Sequence, residues 1–500
     1  MKRQIIVNRT YGERRIAIIE DRKLVELHIM RDESSDCLGN VYCGIVKRVL
    51  PGMQSAFVEF GGARTGFIHV NDLMEGISYE EFQKSIDNED ENEPNNKKQS
   101  ITNFIRDGQK ILVQVVKEPI GQKGARLTTH ISLPGRYVVL MPTISHIGIS
   151  RKINSRDKRA ELKELALKVQ KKGFGIIMRT LSEEISSDLI EKDAVSLIKK
   201  WSAVQIAFKK ERNPTLLFNS LDPILEIIQN TKPEDLKEVV LDDRNDEKIV
   251  QQYSKFYDDI SSDKITFYDL PYPIFDYYSI ETEIANVLKR KIWLKSGGFL
   301  IVEQTEALSV IDVNTGKFTG KGNLESTVFK TNMEAAEEIT LHLRLRNLAG
   351  IIIIDFIDMK NQSNKKKVID FLEELLKKDP ARTSVFYFTR LGLIQITRKR
   401  TTESNISFMT EPCPYCNGNG IILSRDTIVF KIFRDIQRQV RLHKSRKLII
   451  KAHPDAALAL ETTHLEKFQE LKKELKVSVT IDKSVSFHRE HYHVSSEDGN

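Results

Sequence analysis

The stretch GIIIIDFIDM, residues 350–359, sets four successive isoleucines directly before an aspartate. β-Branched side chains crowd a helix and fit a pleated strand, so residues 351–354 predict the central strand of a sheet covered on both faces. A second apolar run, ALSVIDVNTGKF at 307–318, reaches its own aspartate, Asp312. The neighbouring segments alternate in character: GGFLIVEQT and ALSVIDVNT as strands, VFKTNMEAAEEITLHLRLRNL as a long helix, then GIIIIDFIDM, the helix KKKVIDFLEELLKK, and TSVFYFTRLGLIQITRKR. That succession predicts an α/β layer over 297–409, with the order of its strands left open by periodicity.

Aspartates at the ends of apolar strands are held firmly by the segments behind them, which suits a divalent cation needing oxygen ligands in near-octahedral geometry. Period 2 puts Asn314 on the same side as Asp312, where its amide is able to orient water or a phosphate. Attack on a phosphodiester builds charge on the non-bridging oxygens while neutral water is a poor nucleophile, and one Mg²⁺ held by Asp312 and Asp355 answers both needs. Asp312, Asn314 and Asp355 are therefore the candidate catalytic group. The alternative is that an aspartate after a strand caps the next helix; a structural role is the better reading of Asp358 and Glu306.

Five hundred residues exceed one ordinary hydrophobic core and predict two to four domains. A chain 40% hydrophobic and 29% charged lacks the signature of disorder. Its 77 basic and 70 acidic residues leave a net charge of only +7, so a nucleic-acid partner is argued from distribution: basic runs at 151–172 and 436–451 against the acidic NEDENE at 88–93. No apolar stretch approaches the roughly 20 residues of a membrane-spanning helix, and MKRQIIVNRTYGERR has no signal-peptide core, so a cytoplasmic protein is expected.

QIIVN, RRIAIIE and KLVELHIM near the N-terminus read as strands too few to bury a core, expected to dock near 260–288 on the strand KITFYDL and the helix SIETEIANVLKR. From 39 to 118, glycine-punctuated strands predict a small closed barrel with a polar loop at 88–100. Alternation sets Phe57 out of phase with Val58, and Phe67 stands two places before His69; rings at the outward phase are available to stack on bases, with Lys47 and Arg64 near for phosphates. Ordinary core phenylalanine is the alternative. This segment, GIVKRVLPGMQSAFVEFGGARTGFIHVNDL, resembles an S1-type OB domain, which implies RNA binding and not catalysis. An α/β region follows at 119–223 with YVVLMP, GFGIIMRT and the helix DKRAELKELALKVQKK; VVLDD at 239–243 precedes further helices. The tail from 421 reads as a small terminal domain whose last twenty residues are loose.

Four cysteines are too few for a disulfide framework. Cys413 and Cys416, in CPYCNGNG, resemble half of a zinc knuckle, two thiolates covering two of four tetrahedral positions. Cys37 and Cys43 have the wrong spacing to complete it, and His130, His146 and His443 are distant in sequence. Two chains sharing one Zn²⁺ across a twofold axis make up the shortage, which predicts a homodimer; a redox pair or an inert pair are the alternatives. Arg179 and Thr180, closing GIIMRT, and Arg382 in DPARTSVFYF offer donors for a terminal phosphate, although such residues are most often ordinary surface.

In this order, GQKGARLTTHISLPGRYVVLMP, GFGIIMRT, TEALSVIDVNTGKF, NMEAAEEITLHLRLRNLAGIIIIDFIDM, TRLGLIQITRKR and CPYCNGNG resemble the ribonuclease E/G family along nearly the whole chain, at the length of the short ribonuclease G type. The resemblance implies Mg²⁺-dependent endonucleolytic cutting of single-stranded, A/U-rich RNA, including ribosomal RNA precursors and mRNA, to 5′-phosphate and 3′-hydroxyl ends. It implies metal ligation by Asp312 and Asp355 with Asn314 beside them, stacking by Phe57 and Phe67, and a 5′-monophosphate sensor of Arg179, Thr180 and Arg382 with Gly124 lining the same pocket. It implies Zn²⁺ shared through Cys413 and Cys416 in a homodimer or a dimer of dimers. The implied fold class is multidomain, α/β and α+β: an RNase H-like domain split between 1–37 and 224–288, an S1 barrel at 38–118, a sensor domain at 119–223, a DNase I-like catalytic domain at 289–409, a zinc link at 410–420 and a small terminal domain at 421–500. Asn323 stands where the family often has an acidic residue, and without a Pro/Arg-rich scaffold a degradosome is not expected to assemble on this chain. A non-catalytic S1-domain RNA-binding factor, and a deoxyribonuclease or phosphatase of the same metal logic, are the competing functions. Cleavage that vanishes without Mg²⁺, and competition by RNA but not DNA, separate them.

Overall fold

The computed structural model of the chain describes residues 2–31, 37–62, 64–73, 100–119, 124–150, 152–170, 173–220, 222–257, 261–316, 324–399 and 404–497. Asn323 and almost all of the 88–100 loop lie outside them. Contacts divide the chain into two compact units, Met1–Met409 and Thr410–Asn500. The architecture is multidomain α/β with a small closed barrel near the N-terminus.

In the first unit, Arg3–Thr10, Glu13–Glu20 and Lys23–Arg31 form an antiparallel meander. Three strands bury too little alone, and the sheet grows to five through the parallel strand Leu236–Leu241 and the edge strand Ile265–Phe267. The expected dock near 260–288 is present, since the helices Ile274–Tyr277 and Ile280–Val287 join this core through Phe275, Ile280 and Ile284. The strand seated directly on Arg3–Thr10, however, contains the VV of VVLDD, whose pairing no local pattern revealed.

The barrel runs Val41–Leu50, Ser55–Glu59, Gly66–His69, Arg126–Thr128 and Lys110–Lys117, and Lys110–Lys117 closes back on Val41–Leu50. Closure removes its free edges except where Thr215–Phe218 adds outside Val41–Leu50. Two contributing strands thus come from beyond residue 118. Val46, Ala56, Val58, Ile68, Val113 and Leu127 fill the interior. A four-stranded sheet follows, ordered Ile147–Ile149, Gly175–Met178, Val138–Met141 and Leu133–Pro134, packed by the helices Arg156–Val169 and Ser187–Lys210.

The chemical layer is a six-stranded sheet ordered Lys291–Trp293, Phe299–Gln304, Leu308–Asn314, Gly350–Asp355, Leu393–Arg398 and Thr383–Phe386. The central pair is parallel, so its connection must cross over, and the helix Leu324–Leu345 makes the crossing. This helix and Gln362–Leu376 pack on the same face, burying Ile311, Val313, Ile352 and Ile354. The isoleucine strand is therefore covered on one face and not on both: Ile351 is half exposed and Asp355 is exposed. The run of four isoleucines misled because both helices lie on one side of the sheet, which a strand's own residues do not record.

Arg344, on the crossover helix, reaches the N-terminal sheet, binding Glu20 at 3.1 Å and Glu26 at 2.6 Å in a mostly buried cluster. Burial alone would push the Glu26 carboxyl up, but His28 and Arg344 outweigh it and hold it down to about 2. A depressed carboxylate contributes stability that is full above its unfolded value of 4.5 and is lost as pH falls toward about 2. Arg344→Met, which removes the cation shared by Glu20 and Glu26 and leaves them only Arg3 and His28 respectively, should cost about 2 kcal/mol at pH 7. It should also flatten the loss of stability between pH 4.5 and 2; urea unfolding at several pH values reads both effects.

The second unit centres on Lys447–Ala452, flanked by the parallel strand Ser478–Lys483 and the antiparallel strand Tyr492–Ser496. Its helices Arg425–His443, Pro454–Glu461 and Leu465–Leu475 close the core. Of the last twenty residues, those described, through 497, are accordingly not loose: Tyr492–Ser496 is a sheet strand with Val494 buried. Its short polar sequence, YHVSS, conceals a single inward residue. No helix among the described residues is long and apolar enough to cross a membrane.

Candidate active site

Asp312 and Asp355 are direct partners in the parallel register, the last such pair between their strands. The alternation that buries Ile311 and Val313 turns Asp312 and Asn314 to the open face, and the alternation that buries Ile352 and Ile354 does the same for Asp355. Asn314 Nδ2 donates to Asp312 Oδ2 at 2.7 Å. The Asp355 carboxyl is raised above its ordinary range, first by partial burial and then by the charges of Asp312 and Asp358. Exposed carboxylates that repel one another in this way are a donor set that a hard cation would relieve, so the residues fit Mg²⁺.

A residue that sequence reasoning missed holds this corner. Asn332, fully buried on the crossover helix, donates to the Ile357 carbonyl at 2.8 Å and accepts from the Ile357 N–H at 3.1 Å. It clamps the backbone between Asp355 and Asp358. A buried asparagine within an apolar helix stripe is a faint signal, and nothing local says which loop it grips.

On the barrel, Phe57 and Phe67 are cross-strand partners on the outward phase, with Phe57 40% exposed and Val58 fully buried. Lys47 is exposed and pairs with Glu59 at 2.5 Å; Arg64 is exposed in the turn before Gly66–His69.

The sensor candidates fall in separate places. Arg179 donates to the Gly135 carbonyl at 2.6 Å and also bonds Asn230. Thr180 shares a 2.9 Å hydrogen bond with Ser150 and lines a cavity of about 300 Å³ with Tyr137 and Lys232. Arg382 lines a different groove, about 450 Å³, with Lys152, which follows Ser150 by two residues. Its loop is anchored by a buried bidentate pair, Arg398 to Asp379 at 2.8 and 3.1 Å. Gly124 abuts the barrel: a Cβ there would stand 2.2 Å from the Thr65 carbonyl oxygen, so only glycine fits.

Cys413 and Cys416 lie in a turn and not at a helix N-terminus. The backbone N–H groups of Cys416 and Tyr415 lower the Cys413 thiol, and Gly420 N–H donates to Cys416 Sγ at 3.3 Å. N–H groups aimed at sulfur favour thiolate, the metal-binding form. A histidine that sequence distance conceals stands beside the turn: folding brings His488 onto Tyr415, ring centroids 4.0 Å apart, its Nε2 bonded to the Tyr415 carbonyl at 2.7 Å. Even so, no group of three or more His, Cys, Asp or Glu converges on a metal position among the described residues.

The carboxylate pair lies within residues 132–401, which match the Ribonuclease E/G family model, and the cysteine turn lies within residues 412–497, which match the model described as RNase E/G, Thioredoxin-like domain. The chain belongs to the ribonuclease E/G family. Ribonuclease G of Escherichia coli K12 is 38% identical over 486 residues, covering 96% of this chain and 97% of its own, and Ribonuclease G of Haemophilus influenzae is 41% identical over 90% of each. Ribonuclease E of a Nostoc species is 36% identical over 84% of this chain and 59% of its own length, so the likeness is greater to the ribonuclease G type.

Proposed function

We propose that this protein is a Mg²⁺-dependent endoribonuclease of RNA processing and decay that cuts single-stranded, A/U-rich RNA at Asp312 and Asp355. The observation that carries the site is the direct register of one aspartate on the other across two parallel strands, with Asn314 bonded to the first. Bound there, Mg²⁺ supplies charge for the phosphoryl oxygens and acidifies a water. Asn314 occupies one oxygen of Asp312 and leaves the other for a ligand. A water oxygen bonds to phosphorus as the bond to the 3′ oxygen breaks, which leaves a 5′-phosphate on one product and, with a proton from solvent, a 3′-hydroxyl on the other. Phe57 and Phe67 stack bases of the same strand, and Lys47 and Arg64 meet its phosphates. The N-terminal and catalytic sheets are read as the RNase H-like and DNase I-like domains, and Cys413 with Cys416 as the zinc link of a homodimer. Cleavage of a labelled oligoribonucleotide that is lost on Mg²⁺ removal, restored by Mg²⁺ and competed by RNA but not DNA tests the activity.

Arg179, Thr180, Arg382 and Gly124 are read as the sensor of a 5′-monophosphate. A substrate with a 5′-hydroxyl or triphosphate should then be cut about 10- to 100-fold more slowly, the worth of one or two charge-assisted hydrogen bonds. Arg179→Ala should erase the difference. Equal rates on all three ends with the intact enzyme would remove the sensor reading and leave the cutting site untouched.

A further inference from the structure

Lys291–Trp293 is a three-residue edge strand of the catalytic sheet. Ile292 packs toward the helical core, so Lys291 and Trp293 stand on the open face. The register carries this face straight to the carboxylates. Trp293 is opposite Phe299 and Phe299 is opposite Asn314; in the adjacent row Lys291 is opposite Ile301, Ile301 opposite Asp312, and Asp312 opposite Asp355. With strands spaced about 4.8 Å, Trp293 lies two strands, roughly 10 Å, from Asn314.

The indole is 63% exposed and meets the Phe299 ring at 5.4 Å between centroids. The Lys291 ammonium stands 4.0 Å from the Trp293 ring and 3.6 Å from the Phe299 ring, with no carboxylate paired to it among the described residues. The exposed aromatic step beside the carboxylates offers a ligand a flat face to pack on. The lysine selects the kind of ligand. It discourages another strand from adding to this edge, and it matches a polyanion, while the rings offer a face that any base is able to stack on.

We propose that Trp293 and Phe299, with Lys291 beside them, form a stacking subsite for a base of the substrate strand close to the scissile phosphate. The proposal rests on the reading of Asp312 and Asp355 as the cutting site. It adds a second aromatic platform, on the catalytic sheet itself, to the pair on the barrel, and makes Trp293 a determinant of how the strand is aligned for cutting.

The chain has two tryptophans, and the other, Trp201, is buried, so RNA-dependent fluorescence reports on Trp293. Full-length Asp312→Asn protein titrated with a single-stranded oligoribonucleotide should show saturable quenching, absent once Trp293→Ala is added. In otherwise intact enzyme, Trp293→Ala should lower kcat/KM about 5- to 100-fold, the worth of one stacked base, and Trp293→Phe should retain most of the activity. On an oligonucleotide with abasic nucleotides flanking the cut, intact and Trp293→Ala enzymes should agree within about 2-fold. Trp293→Ala acting within about 2-fold of the intact enzyme on ordinary RNA overturns the subsite. So does an equal loss on the abasic substrate, the mark of a structural or self-association role. If Asp312→Asn still cuts, the active-site reading falls and this proposal with it; an inert Asp312→Asn enzyme beside an indifferent Trp293→Ala enzyme overturns the subsite alone.

Discussion

Asp312→Asn and Asp355→Asn should each lower the single-turnover cleavage rate about 10³-fold or more while leaving RNA affinity within a few-fold of the intact enzyme. Each exchange preserves shape and removes one anionic oxygen donor of a two-carboxylate site, so the loss falls on the transition state, where phosphoryl charge builds. On the proposed function, affinity resides in the barrel aromatics Phe57 and Phe67, which neither exchange touches. A rate within about 10-fold of intact for either variant would remove that residue from the catalytic role. The Asp355 exchange carries a second expectation. Its carboxyl is raised in the folded state, by burial first and then by Asp312 and Asp358, so the folded protein binds its proton more readily than the unfolded chain. Stability therefore falls as pH rises from the ordinary aspartate value through the raised one, and the penalty is complete above it. In Mg²⁺-free buffer at pH 7, Asp355→Asn should unfold at a higher temperature than the intact protein, and the gain should disappear once pH falls below the ordinary aspartate range. A lower melting temperature at pH 7 would mean that this carboxyl is not raised in the folded protein.

On the proposed reading of Cys413 and Cys416 as a zinc link shared by two chains, Cys413→Ser should yield a monomer and halve or abolish the zinc content. Ligand counting carries this expectation: one chain brings two thiolates, tetrahedral zinc takes four ligands, and His488, the histidine that folding brings to the turn, spends its Nε2 on the Tyr415 carbonyl. A twofold axis through the metal uses the same pair twice, one zinc for two chains. Backbone N–H groups lower the Cys413 thiol toward the metal-binding thiolate, and the Gly420 N–H points at Cys416 Sγ. Chelation should reduce cleavage even with Mg²⁺ in excess if the paired chains share an RNA path. Metal analysis combined with sedimentation is the direct measurement. One zinc per chain in a stable monomer, or a zinc-free dimer indifferent to Cys413→Ser, would sink the shared knuckle.

Several features were legible in the linear chain because their causes are local. Apolar, β-branched runs that end in an aspartate mark Leu308–Asn314 and Gly350–Asp355 as strands that carry Asp312 and Asp355. Glycine spacing and phase expose the Phe57 ring over a buried Val58, and the CPYC turn needs only its own eight residues. What the tertiary structure decided is which distant segments meet. That Asp312 faces Asp355 across a shared register, that the isoleucine strand is bare on one side and that Trp293 stands in line with Asn314 all follow from the pairing of strands and the side on which two helices settle. Asn332 gripping Ile357, Leu236–Leu241 completing the N-terminal sheet and His488 seated on Tyr415 are of the same kind. Such contacts join residues from 25 to more than 200 positions apart. They are selected by the burial summed over whole elements, and a residue's own neighbours carry no record of that sum.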